Sequence, residues 1–396
     1  MKRLTIQTNL LRERGPDGHA RVTYIELFFD LVFVFAITQL SHGLLAHLTF
    51  WGAVETALLF LAVWWCWIDT SWVTNWLDPE RTAVRLMLLA LVLAGLVLST
   101  SLPQAFQERG LAFAGGYAAL QVGRSLFMVA ALHQHHEGNA RNFQRITIWL
   151  SVAAVIWITG SLLPERDRLA VWALAVFIEY LSPWAGFWVP GLGRSTTADW
   201  DVAGGHLAER CALFVIIALG ESILVTGATF AELAWTPSVL GAFASAFFGS
   251  VAMWWIYFDT GAEHAANRFA GSRDPGRLAR LAYTFIHLLP IAGIVVVAVG
   301  DELVLAHPDG ETHGPAAAVL LLGPILYLLG VLLFKRAAIG RWRRSHLAGL
   351  ILLAVLAFVT SFLSPLALGA ATTLVLVIVG IWESVSLRRK PRLGPP

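Results

Sequence analysis

The sequence is poor in charged residues and in cysteine, and each scarcity excludes a class of protein. Only 14% of the 396 residues are charged and 57% are hydrophobic, whereas soluble domains average about 25% and 45–50%. A chain this apolar does not fold as an ordinary soluble domain. Its two cysteines, Cys66 and Cys211, both lie inside apolar segments, so the sequence does not indicate the disulfide framework of a small secreted protein.

The sequence also lacks the short motifs of the familiar catalytic and nucleotide-binding classes. It contains no Walker loop, no Gly-x-Ser-x-Gly nucleophile elbow and no His-Glu-x-x-His zinc motif. The formal net charge is only +2, and no segment resembles a soluble domain. We therefore predict no catalytic residues, no cofactor, no bound metal and no nucleic-acid partner.

Long apolar runs are what the chain has in abundance. A helix that crosses a bilayer needs about 20 apolar residues. The sequence contains a dozen such runs, at 24–46, 51–71, 83–105, 111–132, 145–163, 168–188, 206–229, 238–260, 278–300, 316–335, 346–364 and 366–387. The predicted fold class is therefore all-α, a polytopic helical membrane protein with about twelve transmembrane helices.

The basic residues predict how these helices are oriented. With the N-terminus inside, all but four of the 28 basic residues fall in cytoplasmic segments, as expected for a membrane protein. The exceptions are Arg109, Arg166 and Arg168 in external loops and Arg124, which we place alone inside a span. Both termini are thus predicted to be cytoplasmic. Residues 1–21 are polar and basic, so no cleavable signal peptide is expected.

Similar motifs recur in the two halves of the chain. Trp64-Trp-Cys-Trp-Ile-Asp69-Thr70 is matched by Trp254-Trp-Ile-Tyr-Phe-Asp259-Thr260, and Glu179 is matched by Glu383. The spacing between matched residues grows slowly along the chain, as insertions into loops of a duplicated array would make it. We predict a first six-helix repeat (1–188), a cytoplasmic linker (189–205) and a second six-helix repeat (206–396). An even number of spans per repeat makes the two repeats parallel.

Ionisable residues inside the apolar segments are the candidate functional residues. A charge at the centre of a membrane costs at least ~2.5–3.5 kcal/mol on insertion scales, so it needs a partner, water or a proton. We predict that Asp30 and Glu221 handle a cation or proton, that Glu26, Glu209, Asp69 and Asp259 form a set on the cytoplasmic side, and that Arg124 is a counter-charge. The full predicted ion- or substrate-binding set is Asp30, Glu221, Glu26, Glu209, Asp69, Asp259 and Arg124.

Structural explanations remain open for several of these residues. Thr23-x-x-Glu26 has the spacing of a capping box, in which Glu26 bonds to the amides at the helix start. Glu209 can be a helix-start acid paired with Arg210 or Arg280. Ion pairing without a transport role is the alternative for the whole set.

A histidine-rich segment offers one further alternative. In His133-Gln-His-His-Glu137, the side chains at 133, 136 and 137 have helical spacing that suits a metal ion. The segment also lies at a frayed helix end, where a solvated loop is the favoured interpretation. We therefore predict no bound metal at this segment.

Several long motifs resemble the bacterial low-temperature-requirement A (LtrA) family. They are Glu26-Leu-Phe-Phe-Asp-Leu-Val-Phe-Val-Phe-Ala-Ile37 with Gln39-Leu-Ser-His42, His206-x-x-Glu-Arg210, Leu213–Ile223, Trp254–Asp259 and the segment from His287 to Gly300. The resemblance covers nearly the whole chain. Cys211 departs from it, since the family usually has an aromatic residue there. The resemblance implies a multi-pass protein of the bacterial inner membrane that is linked to growth in the cold.

Two classes of function fit these features. The favoured hypothesis is a secondary transporter or ion or proton pathway, with a site of intramembrane carboxylates between the two repeats. Its partners would be the lipid bilayer and a small ion or solute. The alternative is an integral membrane enzyme that acts on lipids or lipid-linked groups, with the acidic residues as acid and base. A sensor or scaffold is a third class, although the short loops offer it little docking surface.

The orientation derived from the basic residues can be tested with reporter fusions. Reporters placed after Pro396 and within 261–277 should both be cytoplasmic, and a reporter within 301–315 should be external, because basic residues collect on the cytoplasmic side. Alkaline phosphatase and green fluorescent protein fusions provide the measurement. An external C-terminus would refute the twelve-span topology.

Overall fold

The computed structural model describes residues 9–12, 21–133, 137–197, 200, 202–259 and 274–388. Its helices, numbered in chain order, are α1 (Tyr24–Ala46), α2 (Phe50–Trp76), α3 (Thr82–Ser101), α4 (Gly110–Ala118), α5 (Arg124–Leu132), α6 (Glu137–Ser161), α7 (Glu165–Leu181), α8 (Gly204–Glu232), α9 (Pro237–Phe258), α10 (Pro275–Leu278), α11 (Leu288–Ala306), α12 (Gly314–Ile339), α13 (Arg344–Leu356) and α14 (Pro365–Arg388). Two π-helical segments, Ala119–Gly123 and Ala279–Ile286, follow α4 and α10. The predicted all-α fold class is confirmed.

Within the described residues, nine helices are long and apolar enough to cross a membrane. Three predicted spans fall outside this group: 111–132, 168–188 and 346–364. A π-helical segment interrupts the first. The second corresponds to the 17-residue α7, and the third to the 13-residue α13. The polytopic membrane class is therefore supported, and the twelve-span count, the tandem repeats and the cytoplasmic termini stay predictions.

Helix α1 shows how apolar residues are distributed around a membrane-length helix. Phe28, Leu31 and Phe35 are exposed on one side, at the spacing of successive helical turns. Asp30 and Phe33 are buried on the other side. Both sides are apolar, and the carboxylate lies on the inward side. This distribution suits a helix with lipid outside and a protein interior inside.

Contacts divide the chain into two compact units. The first comprises the described residues within Met1–Leu40, Val54–Arg210 and Asp274–Arg277. Its helix α6 packs on α7, α5 and α4, while α3 packs on α4. Aromatic rings fill the space between these helices, namely Phe113, Tyr117, Trp157 and Trp172, with neighbouring centroids 4.9–5.7 Å apart. Aromatic side chains bury a large area each, so this cluster contributes strongly to the packing of the unit.

The second unit comprises the described residues within Ser41–Ala53, Cys211–Arg273 and Leu278–Pro396. Its most extensive packing joins α11 to α12, and α9 to α14. Glycine permits the close approach of α11 and α12. A Cβ atom on Gly330 would lie 2.3 Å from Cδ of Pro290, and one on Gly293 would lie 2.5 Å from the backbone nitrogen of Tyr327. Small residues at such crossings are a common device for packing helices in membranes.

The Gly330 crossing yields a stability prediction. Gly330→Ala should destabilise the second unit by about 1–3 kcal/mol, because the added methyl group must displace Pro290 or separate the two helices. Thermal melting of the purified protein in detergent measures the effect. Gly227→Ala on α8 is the matched control, since its Cβ meets no atom within 4 Å; it should leave the melting temperature unchanged or raise it. Equal effects of the two substitutions would contradict the packing explanation.

Candidate functional site

Asp30 of α1 forms a fully buried ion pair with Arg210 of α8. Arg210 Nη1 donates to Asp30 Oδ2 at 2.7 Å and Nη2 donates to Oδ1 at 2.8 Å. Trp67 of α2 adds a third bond, from Nε1 to Asp30 Oδ1 at 2.8 Å, and its ring centroid lies 5.5 Å from the guanidinium carbon. The pair is bidentate, the strongest geometry for a guanidinium and a carboxylate. The charge of Asp30 is therefore balanced within the protein.

Glu26, one turn before Asp30, is also fully buried and hydrogen-bonded. Its Oε2 accepts bonds from the backbone nitrogen and hydroxyl of Thr23, each at 2.8 Å, and from Arg12 Nη2 at 3.0 Å. Its Oε1 lies 2.8 Å from Nε2 of His206. The predicted capping contact with Thr23 is present. Glu26 also has two partners that capping alone does not require, Arg12 and His206.

The protonation of His206 follows from its neighbours. The amide of Asn75 is oriented by the backbone of Ala203: Asn75 Nδ2 donates to the Ala203 carbonyl at 2.8 Å, and Oδ1 accepts from the Ala203 nitrogen at 2.9 Å. The amide nitrogen therefore faces His206 Nδ1, at 3.3 Å. Since an amide nitrogen only donates, Nδ1 accepts, which assigns the proton to Nε2 and makes Nε2 the donor to Glu26. Arg12 Nη2, 3.3 Å from Nε2, is then a close neighbour of the ring and not a hydrogen-bond donor to it. His206 is neutral in this arrangement, so the two carboxylates are balanced by Arg12 and Arg210.

Helical spacing explains how these side chains come together. Residues four apart on a helix lie on the same face. The site takes Glu26 and Asp30 from α1, His206 and Arg210 from α8, and Trp67, Ser71 and Asn75 from α2. Each helix thus presents polar groups on successive turns. We call these residues, with Arg12, the α1 charge network.

Arg124 pairs with Asp69, not with Asp30. Its Nη2 lies 3.2 Å from Asp69 Oδ2, and its Nη1 donates to Thr70 Oγ1 at 2.8 Å and to the Cys66 carbonyl at 3.1 Å. Arg124 is thus the counter-charge of Asp69, an acid on α2. Arg210 and Lys335 are also fully buried, in the membrane-length helices α8 and α12.

The remaining predicted residues have different environments. Glu221 of α8 is buried, and its Oε1 has no hydrogen-bond partner among the described residues. Glu209 is exposed, and its Oε2 lies 3.4 Å from the backbone nitrogen of Val22. Asp259 is exposed at the end of α9 and accepts a bond from Ser384 Oγ at 2.7 Å. Within the predicted set, the structure brings together Glu26 and Asp30, and separately Asp69 and Arg124.

Sequence reasoning missed the basic and aromatic half of the α1 charge network. Arg210 was considered only as a partner of Glu209, and His206 only as part of a family motif. A usable signal existed, since His206 and Arg210 have the same four-residue spacing as Glu26 and Asp30. The metal alternative at the histidine-rich segment involves 134–136 and the side chain at 137, which lie outside the described residues. Among described residues, no three His, Cys, Asp or Glu side chains are grouped to hold a metal ion.

Membrane-length helices with ion pairs buried among them define a polytopic membrane protein. Residues 21–381 match the family of the bacterial low temperature requirement A protein (LtrA), and the chain belongs to this family. It is 40% identical over 388 residues to an uncharacterized protein of Rhizobium meliloti (strain 1021), covering 97% of this chain and 94% of that relative. No solved structure matches the chain.

The buried Asp30–Arg210 pair can be tested by a double-mutant cycle. Asp30→Asn or Arg210→Gln alone should each destabilise the protein by about 3–5 kcal/mol, because each leaves its partner charge buried and unpaired. The double variant should be less destabilised than the sum of the single variants. Equilibrium unfolding in mixed micelles measures these differences.

The control for this cycle is the partly exposed pair of Asp78 and Arg81, 3.1 Å apart. Asp78→Asn should cost no more than about 1 kcal/mol, as surface pairs do. Strictly additive effects of Asp30→Asn and Arg210→Gln would show that the two residues are not energetically coupled.

Proposed function

We propose that this LtrA family protein is a secondary transporter or ion pathway of the bacterial inner membrane. In this proposal it moves a proton or small cation through carboxylates within its helices. The observation that carries the proposal is the state of Glu221, a buried acid whose charge no described ion pair balances.

Glu221 lies far from both ends of α8, a helix of 29 residues that is long and apolar enough to cross a membrane. The neighbouring Ser222 bonds to Ser250, with their hydroxyl oxygens 3.4 Å apart, and Glu221 Oε1 is left without a partner. An ionised carboxylate in this position costs at least ~2.5–3.5 kcal/mol on insertion scales. Binding a proton or a cation removes that cost, which is the behaviour required of a transport site.

In this proposal Asp30, unlike Glu221, does not bind the transported ion. Two hydrogen bonds from Arg210 and one from Trp67 already occupy its oxygens. A cation that entered here would have to displace the guanidinium and leave it buried without a partner, which is strongly unfavourable. We therefore assign Asp30 a structural role: it binds Arg210 and thereby fixes the position of the first turns of α8. Glu221 lies on the same helix, three turns further along the chain.

The organisation predicted from the sequence belongs to this proposal as well. Recurrence of the Trp-Trp and Asp-Thr motifs supports two parallel repeats of six helices, and the distribution of arginine supports cytoplasmic termini. Transporters built from such repeats need no soluble domain, because ion gradients drive them. The apolar composition of the chain agrees with this class.

The proposal is tested with the purified full-length protein in liposomes. Imposed gradients of H⁺, Na⁺ and K⁺ should produce a flux of at least one ion, followed with a pH-sensitive dye and ion-selective indicators. Glu221→Gln should abolish that flux, because the amide retains size and polarity but has no ionisable proton and no negative charge.

Glu232→Gln is the matched control, since it makes the same substitution on the same helix at an exposed position. It should transport like the unmodified protein. Absence of flux in every gradient would refute the transport proposal, and a lipid species missing from a deletion strain would then support the membrane enzyme. Normal flux in Glu221→Gln would refute the role assigned to Glu221.

A further inference from the structure

Like Glu221, Glu179 of α7 is a buried acid whose charge no described ion pair balances. It lies in the first unit. Its side chain is almost completely buried. Tyr117 OH donates to Glu179 Oε2 at 2.7 Å, and Trp157 Nε1 lies 3.4 Å from the same oxygen. The other oxygen, Oε1, is buried and has no hydrogen-bond partner in the part of the chain that the structure describes. Glu179 therefore has polar neighbours on one side only, and both are neutral.

The charged groups around Glu179, counted together with it, include one more acid than base. The charged groups near it are Asp69 and Arg124, and the other titratable neighbours are Tyr117, Tyr180 and Cys66. Arg124 bonds to Asp69, Thr70, Gln121 and the Cys66 carbonyl. Its guanidinium is thus committed to Asp69. With both carboxylates ionised, the cluster has two negative charges and one positive charge in a poorly solvated place, which is costly.

The second unit contains the same kinds of residue in a different arrangement. Glu383, which the sequence matches with Glu179, lies 2.7 Å from Lys335 Nζ and 3.3 Å from Arg343 Nε. Asp259, which the sequence matches with Asp69, is exposed and bonds to Ser384. The buried glutamate of the second unit therefore has two cationic neighbours. Among the described residues, no cationic group bonds to Glu179, so the two buried glutamates differ in their charge balance.

A chain of polar groups leads from Glu179 to a less buried acid. Asp69 has 24% of its side chain exposed. Gln121 Nε2 lies 3.4 Å from Asp69 Oδ2 and 3.5 Å from Tyr117 OH, so the Gln121 amide separates Asp69 from the Tyr117–Glu179 pair. An amide NH₂ group donates and does not accept. A proton can pass only when this amide moves aside.

Gln121 belongs to the π-helical segment Ala119–Gly123 between α4 and α5. Tyr117 precedes this segment and Arg124 follows it, so one irregular stretch of helix provides three members of the cluster. Insertions of this kind are frequent at functional sites. They interrupt the regular backbone bonding, and this favours local movement of the side chains attached to them.

We propose that Glu179 is a proton-binding site that is loaded from the side of Asp69 when Gln121 moves aside. This inference rests on the proposed function and names its ion as the proton. In the transfer, the O–H bond of a protonated Asp69 breaks, Asp69 becomes the carboxylate paired with Arg124, and a new O–H bond neutralises Glu179. A metal cation is a poor occupant, since it requires several oxygen ligands, whereas Glu179 is surrounded by Tyr117 and aromatic rings.

Infrared spectroscopy of the purified full-length protein tests this site directly. At neutral pH the spectrum should contain the C=O stretching band of a buried protonated carboxyl group. The band should be lost in Glu179→Gln and retained in Glu383→Gln, the matched control at the paired glutamate. In Tyr117→Phe it should shift to higher frequency, because the hydrogen bond to Oε2 is gone.

Proton flux in liposomes gives the functional half of the test. Glu179→Gln should abolish proton flux, and Gln121→Ala should increase it by removing the separating amide. A protonated-carboxyl absorption that is identical in Glu179→Gln and in the unmodified protein overturns the inference, whether or not the protein transports ions; a component that remains in the variant after part of the absorption is lost belongs to another acid such as Glu221. A band lost in Glu179→Gln, with no flux of H⁺, Na⁺ or K⁺ in any protein sample, supports the proton site and refutes the transport proposal. Glu179→Asp keeps the acid, so it should retain a carboxyl band at a shifted frequency. This variant provides a second test if Glu179→Gln fails to fold.

Discussion

The rest of the first unit depends on the bidentate ion pair between Asp30 and Arg210. Each charge would be strongly unfavourable in an apolar interior by itself, and each becomes tolerable because the other satisfies it. The geometry leaves little freedom, since Trp67 donates a third bond to Asp30 and Ser71 lies beside the guanidinium. Helices α1, α2 and the beginning of α8 are thereby held together by directional bonds. Such bonds define helix register more sharply than apolar packing does, because apolar contacts tolerate sliding.

Charge balance distinguishes the buried acids of this protein from one another. Glu26 and Asp30 have arginine partners, and Glu383 has Lys335 and Arg343. Among the described residues, Glu179 and Glu221 are in no ion pair, and each has a carboxylate oxygen without a hydrogen-bond partner. Glu383 Oε1 also lacks a hydrogen bond, but it lies 3.3 Å from Arg343 Nε. Paired acids stabilise the arrangement of helices. Unpaired acids retain a reason to bind a proton or cation, and the proposed transport function follows from this difference.

Much of the fold could be predicted because membranes impose a simple rule on sequence. Backbone polar groups must be bonded within each segment, so long apolar runs become helices. The run at 24–46 coincides with α1, and the one at 206–229 lies inside α8. Short spans were less predictable. Helix α7 begins with charged residues and α13 covers only 13 residues, so hydropathy alone did not show how far each extends.

The sequence by itself determined that the chain is helical and apolar and that carboxylates such as Asp30 and Glu221 lie within its helices. Hydropathy and residue type are local properties, and they can be counted along the chain. The tertiary structure alone decided which of those carboxylates are neutralised. Arg210 is 180 residues from Asp30 in sequence, and Arg124 was an equally plausible partner by depth and charge. An ion pair forms only where two side chains meet at about 3 Å, and that distance is set by how the helices pack.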